Sequence, residues 1–273
     1  RELGRWWSGP PGVVLARDKR RLEEALGTHG HRHRVVLETH ELDSGLVSDR
    51  GEDPGPAHAL EARVAAAAHA MVANCGGTLA AWEGAHDQLP NQRIVSHNAC
   101  SPNRTRSGAA ARDPVIRVLG SARSFKGVSQ LLSMREARPL PLEWVGATEE
   151  EMANLSPSPG IQFSPPVSYS QVPDLLATSQ VLLLPLQDNR FGRYLTSPLK
   201  LWDYLATDTP IVAPDLPTVR EIMELSQAQI HLYESSDRTD CMRAIQAATQ
   251  AAARPPFLRS WSQRAEELEL TFE

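Results

Sequence analysis

Short apolar runs alternate with segments of helical periodicity along most of the chain. The run GVVLARD at 12–18 is typical of a strand, and KRRLEEALG at 19–27 has the spacing of a helix that ends at a glycine. HRVVLETHEL at 33–42 is a second apolar run of strand length. A strand, a helix and a strand in this order predict a β–α–β unit with parallel strands.

The same alternation continues to residue 98. A loop rich in Gly, Pro and Asp is predicted at 43–57. The segments that follow it favour helix, strand, helix and strand in turn, and they are HALEARVAAAAHA, MVANC, GGTLAAWEGAH and RIVSHN. We therefore expect a parallel α/β sheet in the first hundred residues.

A polar stretch without apolar periodicity, residues 99–113, separates this series from a second one. Strands of the second series are predicted at 115–120, 142–146, 181–186 and 210–214. Helices are predicted in KGVSQLLSMREA, in QVPDLLATS and at 197–207. The second series thus predicts another parallel sheet.

The sequence therefore predicts the α/β class with two Rossmann-like parallel-sheet domains. We expect a first domain at 1–103, a second domain at 104–255, and a final amphipathic helix at 256–273 that lies across both domains. Ligands of such domains bind at the carboxyl ends of the strands.

The stretch SPLKLWDYLATDTPIVAPDLP at 197–217 combines a helix start with two opposite charges. Ser197 favours an N-cap and Pro198 the first helical position, so Lys200 falls in the first turn and Asp203 one turn later. The helix dipole favours an anion at this end, and Lys200 adds a full charge. Asp203 is suited to accept hydrogen bonds from hydroxyls, as acidic residues do from a ribose. The alternative is an exposed ion pair between Lys200 and Asp203.

A second candidate for a phosphate site is LGSARSFKG at 119–127. Gly120 permits close backbone approach at the end of a predicted strand, and Lys126 lies at the entrance of the next helix. The chain has only three lysines, Lys19, Lys126 and Lys200, and lysine is a compact point charge suited to phosphate. We expect Lys126 and Lys200 to converge on one diphosphate at the carboxyl edge of the same sheet.

Histidines form two further candidates in the first domain. His40 ends a predicted strand and is expected to face a ligand cleft, although a lone histidine is as often a structural residue. The tract HGHRH at 29–33 alternates histidines as a metal chelate does, but a solvated helix-to-strand connection is the better interpretation. No Gly-x-Ser-x-Gly or His-Glu-x-x-His motif occurs, which argues against hydrolases, and we expect no metal site.

Composition argues against several classes of protein. The formal net charge is −5 and no basic stripe occurs, so we expect no nucleic-acid partner. No run approaches the roughly 18 apolar residues of a membrane span, and no signal peptide is visible. The three cysteines are too widely spaced for a disulfide framework or a metal knuckle. We expect a cytoplasmic protein, with peripheral association at a membrane as an option.

The order of motifs in the second series resembles the donor domain of retaining nucleotide-sugar glycosyltransferases of the GT-B fold, family 4 in particular. The similarity lies in the strand–Gly–Lys-Gly segment, LEWVG, QVPDLLATSQVLLLP and SPLKLWDYLATDTPIVAPDLPTVREI. Earlier in the chain, GVVLARD, RVVLETHEL, AHAMVANCGGTL and RIVSHNA match strands of that family's N-terminal domain. The family's opening Gly-rich strand–loop has no counterpart here. The resemblance therefore implies an incomplete N-terminal domain and a chain that binds its donor better than it turns it over.

The resemblance also implies roles for individual residues. The donor-binding positions are Gly120, Ser121, Arg123, Lys126, Val167, Ser197, Lys200 and Asp203. The loop from Gly120 to Lys126 holds the diphosphate, the segment around Val167 meets the base, and Asp203 matches the acid that grips the ribose. His40 matches the histidine near the transferred sugar.

The chain departs from the family pattern at several positions. Ser121 replaces the usual arginine, and Arg123 is its nearest substitute. Leu195 stands at the first acid of the family's paired motif, and Asn189 is the only polar stand-in nearby. Asp203 replaces the usual glutamate.

The implied activity is transfer of a hexose from a nucleotide diphosphate sugar to an acceptor hydroxyl with retention, without a metal or other cofactor. The acceptor is unidentified, with a saccharide and a lipid as candidates. Lys126, Lys200 or Arg123 would stabilise charge on the leaving diphosphate. Two alternatives stay open: a non-catalytic sugar-nucleotide binding or scaffold protein, which the missing first acid favours, and a nucleotide-sugar epimerase on the same fold.

Overall fold

The computed structural model describes residues 12–30, 32–101, 112–122, 139–154 and 160–272. The chain forms two compact units. The first unit consists of Arg1–His97, Tyr194–Ser197 and Glu267–Glu273, and the second of Asn98–Arg193 and Pro198–Glu266. Each unit contains one sheet of parallel strands, which confirms the predicted α/β class.

The sheet of the first unit has four strands in sequential order. They are β1 (Val13–Ala16), β2 (Arg34–Thr39), β3 (Ala70–Ala73) and β4 (Gln92–Val95). All pair in parallel, with Leu37 of β2 opposite both Ala16 of β1 and Met71 of β3. The two central strands are nearly continuous apolar runs because both of their faces are covered. Strand β1 is an edge of the sheet, and Val13 and Leu15 are exposed there.

Four helices connect these strands. They are α1 (Lys19–His29), α2 (Asp43–Asp49), α3 (Gly55–Ala67) and α4 (Gly76–Ala85). Helix α1 begins where the Asp18 carboxylate accepts the N–H of Arg21, and it runs past Gly27, where an end was expected. The core between helices and sheet is formed by Leu22, Leu37, Val64, Met71 and Trp82, among others.

The expectation of a loop at 43–57 was wrong, because this segment contains α2 and the start of α3. The Gly-rich and Asp-rich composition of this segment gives no helix signal of its own. Helix α2 is instead held by a side chain from elsewhere: the carboxylate of Glu61 accepts the backbone N–H groups of Asp43 and Ser44. A contact between residues 17 or 18 positions apart cannot be read from local pattern.

The sheet of the second unit has six parallel strands in the order β10-β9-β8-β5-β6-β7. They are β5 (Asp113–Leu119), β6 (Leu142–Val145), β7 (Ile161–Ser164), β8 (Ser179–Leu183), β9 (Ile211–Pro214) and β10 (His231–Tyr233). Strands β5, β6, β8 and β9 overlap the predicted ones, whereas β7 and β10 were not predicted. Their short sequences, IQFS and HLY, are only partly buried and show little apolar periodicity.

Seven helices are described in the remainder of the chain. They are α5 (Glu149–Ala153), α6 (Val172–Ala177), α7 (Arg190–Tyr194), α8 (Leu199–Leu205), α9 (Pro217–Ser226), α10 (Arg238–Gln250) and α11 (Trp261–Phe272). Helix α8 starts one residue later than expected, with Pro198 rather than Ser197 at the capping position. The helix expected in KGVSQLLSMREA lies outside the described residues.

Helices cover both faces of the second sheet. One core contains Ile116, Trp144, Val181 and Val212, packed against Ile245 of α10. The other core contains Leu182, Ile211, Leu201, Trp202 and Leu205, so that α8 is packed directly on the sheet. This packing decides which residues of α8 remain at the surface. In the first unit, Leu268 and Phe272 of α11 pack against Val36, Ala70 and Val72.

Candidate functional site

The strand order of the second sheet reverses between β5 and β8. From β5 the chain moves outward to β6 and β7, and it then returns to place β8 on the other side of β5. Ligands of open parallel sheets bind outside the carboxyl ends of the strands at such a reversal, because the connecting loops diverge there and leave a crevice. Strand β5 ends at Leu119, so Gly120 and the residues after it lie at this position.

Two glycines at neighbouring strand ends have backbone conformations that side chains rarely adopt. Gly120 has a φ of 102° and Gly146, which follows β6, has a φ of 111°. A Cβ atom on Gly120 would lie 2.7 Å from Cε and 2.9 Å from Nζ of Lys200. A Cβ atom on Gly146 would lie 2.9 Å from Cα of Gly120. At Gly146 the added atom would meet backbone, so packing and φ both require glycine there. At Gly120 it would meet the movable end of a lysine side chain, so the requirement for glycine rests on φ.

Hydrogen bonds hold the segment that begins at Gly120. Its N–H donates to the carbonyl of Val145 at 2.7 Å, and its own carbonyl accepts the indole N–H of Trp144 at 2.6 Å. Two residues later, the N–H of Ala122 donates to a carboxylate oxygen of Glu151 at 2.9 Å. Because these bonds use groups of the protein alone, this stretch of backbone is ordered before any ligand arrives.

Helix α8 brings Lys200 to this position. Leu201, Trp202 and Leu205 are buried against the sheet, which leaves Lys200 and Asp203 half-buried on the remaining surface. At the other end of the helix, the guanidinium of Arg254 donates to the carbonyl of Tyr204 at 2.6 Å. A cation at a helix C-terminus is favourable.

Arg254 keeps its charge despite being buried. Desolvation lowers the pKa of Arg254 to about 10, against the opposing effect of Asp208. A value of about 10 still leaves the guanidinium protonated at neutral pH. Arg254 also donates to the carbonyl of Thr209 at 3.2 Å, so it joins the end of α8 to the loop that precedes β9.

Several of the predicted donor-binding residues are placed by the structure. Gly120 and Lys200 are in contact, and Ser121 follows in the chain as a half-buried residue. Asp203 lies on α8 one turn after Lys200, and Val167 is exposed beyond the end of β7.

The remaining predicted positions fall into two groups. Arg123 and Lys126 lie outside the described residues, so their roles stay predictions. Ser197 is buried and belongs by its contacts to the first unit, as does Leu195, which is only 3% exposed. A buried leucine offers a ligand no hydrogen-bonding side chain, so the position of the first family acid has none.

The suggested stand-in, Asn189, shapes its own loop. Its side-chain oxygen accepts the N–H of Gly192 at 2.8 Å, and its amide donates to the side-chain oxygen of Gln187 at 3.1 Å. These two bonds use both ends of the amide within the six residues from Gln187 to Gly192. Asn189 is therefore explained by local turn formation.

Sequence reasoning missed four contributors to the site: Trp144, Gly146, Glu151 and Tyr204. A signal for Gly146 was present, because VIRVLG and LEWVG both end a strand with glycine. The other three act through contacts between segments distant in sequence, which periodicity does not reveal.

The first unit has a separate polar pocket at the carboxyl ends of β1 and β2. Its volume is about 470 Å³, and its lining consists of Arg17, Asp18, Lys19, Thr39, His40, Glu41 and Asp43. The side chain of His40 is 18% exposed, and its Nε2 lies 3.5 Å from a carboxylate oxygen of Glu38. The pocket therefore presents carboxylates, cations and an imidazole to solvent.

Lys19, at the start of α1, is held by carboxylates. Its ammonium lies 2.8 Å from Asp43 and 3.8 Å from Glu61, and the residue is only 8% exposed. The ammonium also lies 5.6 Å from the ring centroid of Trp82. Two negative groups and an aromatic face surround this cation, so its charge is already matched within the protein.

The buried Glu61 also faces a histidine. Nε2 of His86 lies 3.6 Å from the Glu61 carboxylate, and the His86 ring stacks on His58 at 4.6 Å between centroids. Burial lowers the pKa of His86, the charge of Glu61 opposes that shift, and His58 adds to it. His86 is therefore more readily deprotonated than an exposed histidine.

The described part of the chain contains neither a membrane-spanning helix nor a cluster of metal ligands. None of its helices is long and apolar enough to span a membrane. None of its groups of His, Cys, Asp and Glu is arranged to hold a metal ion. The tract HGHRH is only partly covered by this statement, because His31 lies outside the described residues.

Comparisons with known proteins identify the fold. Neither a protein-family model nor a curated protein matches the sequence. Solved structures do match: sucrose-phosphate synthase from Thermosynechococcus elongatus superposes with a TM-score of 0.71 at 12% identity, over 99% of this chain and 75% of that one. AviGT4, a glycosyltransferase involved in avilamycin A biosynthesis, gives 0.59 at 14% identity, over 99% and 76%.

TarM gives a TM-score of 0.64 at 10% identity, over 87% of this chain and 47% of that one. The chain thus spans between about half and three quarters of these three proteins. Such low identities establish the fold alone: the two parallel sheets match the two Rossmann-like domains of the GT-B fold.

Proposed function

We propose that this protein transfers a hexosyl group from a nucleotide diphosphate sugar to an acceptor hydroxyl, with retention and without a metal or other cofactor. The observation that supports this most is the ammonium of Lys200 above Gly120, at the reversal of strand order in the second sheet. The solved structures with the same fold include a sucrose-phosphate synthase and a glycosyltransferase involved in avilamycin A biosynthesis. Retention and the choice of a hexose rest on the sequence resemblance.

In the proposed donor site, separate parts of the protein bind the diphosphate, the ribose and the base. The missing side chain at Gly120 lets the ammonium of Lys200 approach the end of β5, and Lys200 supplies the positive charge for the diphosphate. Asp203 accepts hydrogen bonds from the ribose hydroxyls, and the segment at Val167 meets the base. Charge that develops on the leaving diphosphate is stabilised by groups already in place, which is the usual source of electrostatic catalysis.

The pocket of the first unit is proposed to contribute His40. An imidazole in a polar, solvent-accessible pocket can donate to or accept from a sugar hydroxyl. The acceptor is proposed to be a saccharide or a lipid-linked hydroxyl. We propose a cytoplasmic location, with peripheral attachment to a membrane if the acceptor is a lipid.

The experiment that tests the donor site titrates UDP, GDP and ADP, together with their nucleosides, against the variants Lys200→Ala and Asp203→Ala. Each variant removes a charge-assisted hydrogen bond, which is worth roughly tenfold to a hundredfold in affinity. Lys200→Ala is expected to weaken only the diphosphates and to flatten their salt dependence. Asp203→Ala is expected to weaken diphosphate and nucleoside by the same factor, because both contain the ribose.

Arg220→Ala is the matched control. Arg220 is an exposed cation at the start of α9 in the same unit, paired with Asp215. This variant should bind every ligand as the unaltered protein does. Affinities unchanged in both test variants would contradict the donor site, and equal losses in all three variants would indicate a nonspecific effect of charge.

A non-catalytic sugar-nucleotide binding protein is the second candidate. The buried Leu195 favours it, because the family's first acid would otherwise stand there. Incubation with labelled nucleotide sugars and a panel of saccharide and lipid acceptors separates the two candidates. Tight binding with no labelled product for any donor would support the binding protein, and the anomeric configuration of a product would test retention.

A further inference from the structure

Tyr204 lies between the two strands that flank the reversal of strand order. Its hydroxyl accepts the backbone N–H of Leu119, the last residue of β5, at 3.0 Å. The same hydroxyl donates to the carbonyl of Leu183, the last residue of β8, at 3.4 Å. One side chain of α8 therefore bonds to the ends of both strands.

Leu119 still pairs with Val145 of β6, but its N–H needs a partner on the other side because the pairing of β5 with β8 ends before it. The last paired residues between β5 and β8 are Arg117 and Leu182, two positions earlier on β5. A buried backbone donor without a partner is unfavourable, so the tyrosine hydroxyl replaces the missing strand contact. The bond therefore fixes the end of β5 at the residue just before Gly120.

Tyr204 is also fixed to Lys200 through the helix. The two residues are four positions apart on α8, so they lie on the same face, one turn from each other. Tyr204 is fully buried, and the guanidinium of Arg254 donates to its carbonyl. Burial raises the pKa of the Tyr204 hydroxyl well above its ordinary value, so it keeps its proton and both hydrogen bonds at neutral pH.

We propose that Tyr204 is a positioning residue of the donor site, whose hydroxyl bonds α8 to the ends of β5 and β8 and so holds Lys200 above Gly120. The inference rests on the proposed function, because the anion that benefits is the diphosphate of the donor. Tyr204 does not touch this ligand. Its effect on binding passes through Lys200.

The test is a double-variant cycle with Tyr204→Phe and Lys200→Ala, measured with pyrophosphate and with UDP, GDP and ADP. Phenylalanine keeps the ring and removes only the hydroxyl. Tyr204→Phe is expected to lower diphosphate affinity about fivefold to tenfold in the otherwise unaltered protein. In the Lys200→Ala background it is expected to change nothing further, because the group it positions is gone.

Tyr233→Phe is the control, since Tyr233 is a buried tyrosine on β10 of the same sheet. It should leave every affinity unchanged. A Tyr204→Phe variant that binds diphosphates normally would overturn the inference. A loss of the same size in both backgrounds would overturn it too, because a merely structural effect does not depend on Lys200.

Crystal structures of the unaltered protein and of Tyr204→Phe separate this inference from the proposed function, because they need no ligand. The expected result is a Lys200 side chain displaced from Gly120 in the variant. Displacement without any diphosphate binding would support the positioning role and contradict the donor site. An unmoved Lys200 would contradict the positioning role whatever the ligand data show.

If Tyr204→Phe does not fold, hydrogen exchange measured on the unaltered protein tests the inference instead. Coupling between two sites is reciprocal, so a diphosphate that depends on the Leu119–Tyr204 bond must also stabilise that bond. Saturating UDP, GDP or ADP is therefore expected to slow exchange of the Leu119 amide about fivefold to tenfold. Unchanged exchange at Leu119 with bound nucleotide would overturn the inference.

Discussion

Two lysines at the starts of helices have different neighbours in the two units of this protein. Lys19 begins α1 directly after β1, and two carboxylates and an indole ring enclose its ammonium. Lys200 lies in the first turn of α8, and its ammonium and Cε stand above the backbone of Gly120. In the sequence both are lysines at the entrance of a helix in a parallel α/β unit.

The difference shows that a lysine at a helix start is not by itself a phosphate site. An anion gains from such a lysine only if the protein has not already matched the charge. Around Lys19, the buried Glu61 serves both the ammonium and the N-terminal N–H groups of α2. The end of the Lys200 side chain instead lies where a Cβ atom of Gly120 would stand, at the carboxyl end of β5.

The largest expected effect comes from replacing each lysine by methionine, which keeps the length of the side chain and removes the charge. Lys19→Met leaves the carboxylates of Asp43 and Glu61 without their cation, and it should lower the free energy of unfolding by about 3–5 kcal/mol. Lys200→Met should change that free energy by less than about 1 kcal/mol. Denaturant unfolding of both variants measures the two values side by side.

The nucleotide affinities of the same two variants are expected to show the reverse order of effects. Folded Lys19→Met should bind diphosphates normally, whereas Lys200→Met should bind them roughly tenfold to a hundredfold less tightly. Similar losses of stability in the two variants would remove the contrast between the two lysines.

The next largest effect is expected from a methyl group added to Gly120. In Gly120→Ala, the added Cβ meets the end of the Lys200 side chain and the backbone keeps a φ that alanine disfavours. We expect a loss of about 1–3 kcal/mol in stability and about a hundredfold in diphosphate affinity, because Lys200 must move away. Calorimetric titration and thermal unfolding give both quantities.

Gly84→Ala is the control for this prediction. Gly84 lies inside α4, and a Cβ atom there meets nothing within 4 Å. Alanine is the better helix former, so this variant should gain about 0.5–1 kcal/mol. Diphosphate binding by Gly120→Ala that equals that of Gly84→Ala would show that Gly120 has no role in the donor site.

Replacing His40 tests whether the pocket of the first unit takes part in the reaction. His40→Ala should lower kcat about tenfold or more while diphosphate affinity stays nearly constant, because the histidine is proposed to act on the transferred sugar. Glu41→Ala, in the same pocket lining, is the comparison variant. A His40→Ala protein that unfolds at room temperature, or one with unaltered turnover, would support a structural histidine instead.

The smallest expected effect is the pH dependence of stability that is caused by His86 of the first unit. Burial lowers the pKa of His86 below the value of about 6.5 that it has in the unfolded chain. Below that pH the unfolded state takes up a proton that the folded state resists, so stability falls as the solution is acidified from about pH 7 to pH 5. Above about pH 7 the contribution is fully present.

His86→Gln, which does not titrate, should flatten this dependence. Comparing the melting temperatures of this variant and the unaltered protein across the range isolates His86 from other histidines. His231 of the second unit also has a pKa lowered by burial, and it contributes equally to both curves. Parallel curves for the two proteins would mean that His86 does not titrate differently on folding.

Periodicity was enough to predict the two parallel sheets and most of their strands. Buried strands such as β2, β3 and β8 contain runs of apolar residues, and such runs can be recognised from the sequence alone. Helix α2 was missed because its N-terminal N–H groups are satisfied by a glutamate on α3. Strands β7 and β10 were missed because they are three- or four-residue runs that are only partly buried.

The candidate site was predicted in part. Gly120, Lys200 and Asp203 could be named from a strand-ending glycine and from charges in the first turns of a helix. Trp144, Glu151 and Tyr204 could not, because each acts through a hydrogen bond to a residue on another segment. Nothing in the local pattern of a buried tyrosine tells which backbone group its hydroxyl meets.

The sequence by itself determined the alternation of strands and helices, the α/β class and the glycine at the end of β5, because these depend on the identity of neighbouring residues. Only the tertiary structure decided what the two lysines at helix starts do. Lys19 is buried in ion pairs with Asp43 and Glu61, and the packing of α8 on the sheet brings Lys200 to Gly120. Electrostatic roles depend on the distance between charges and on their exposure to water, and folding sets both across long separations in sequence.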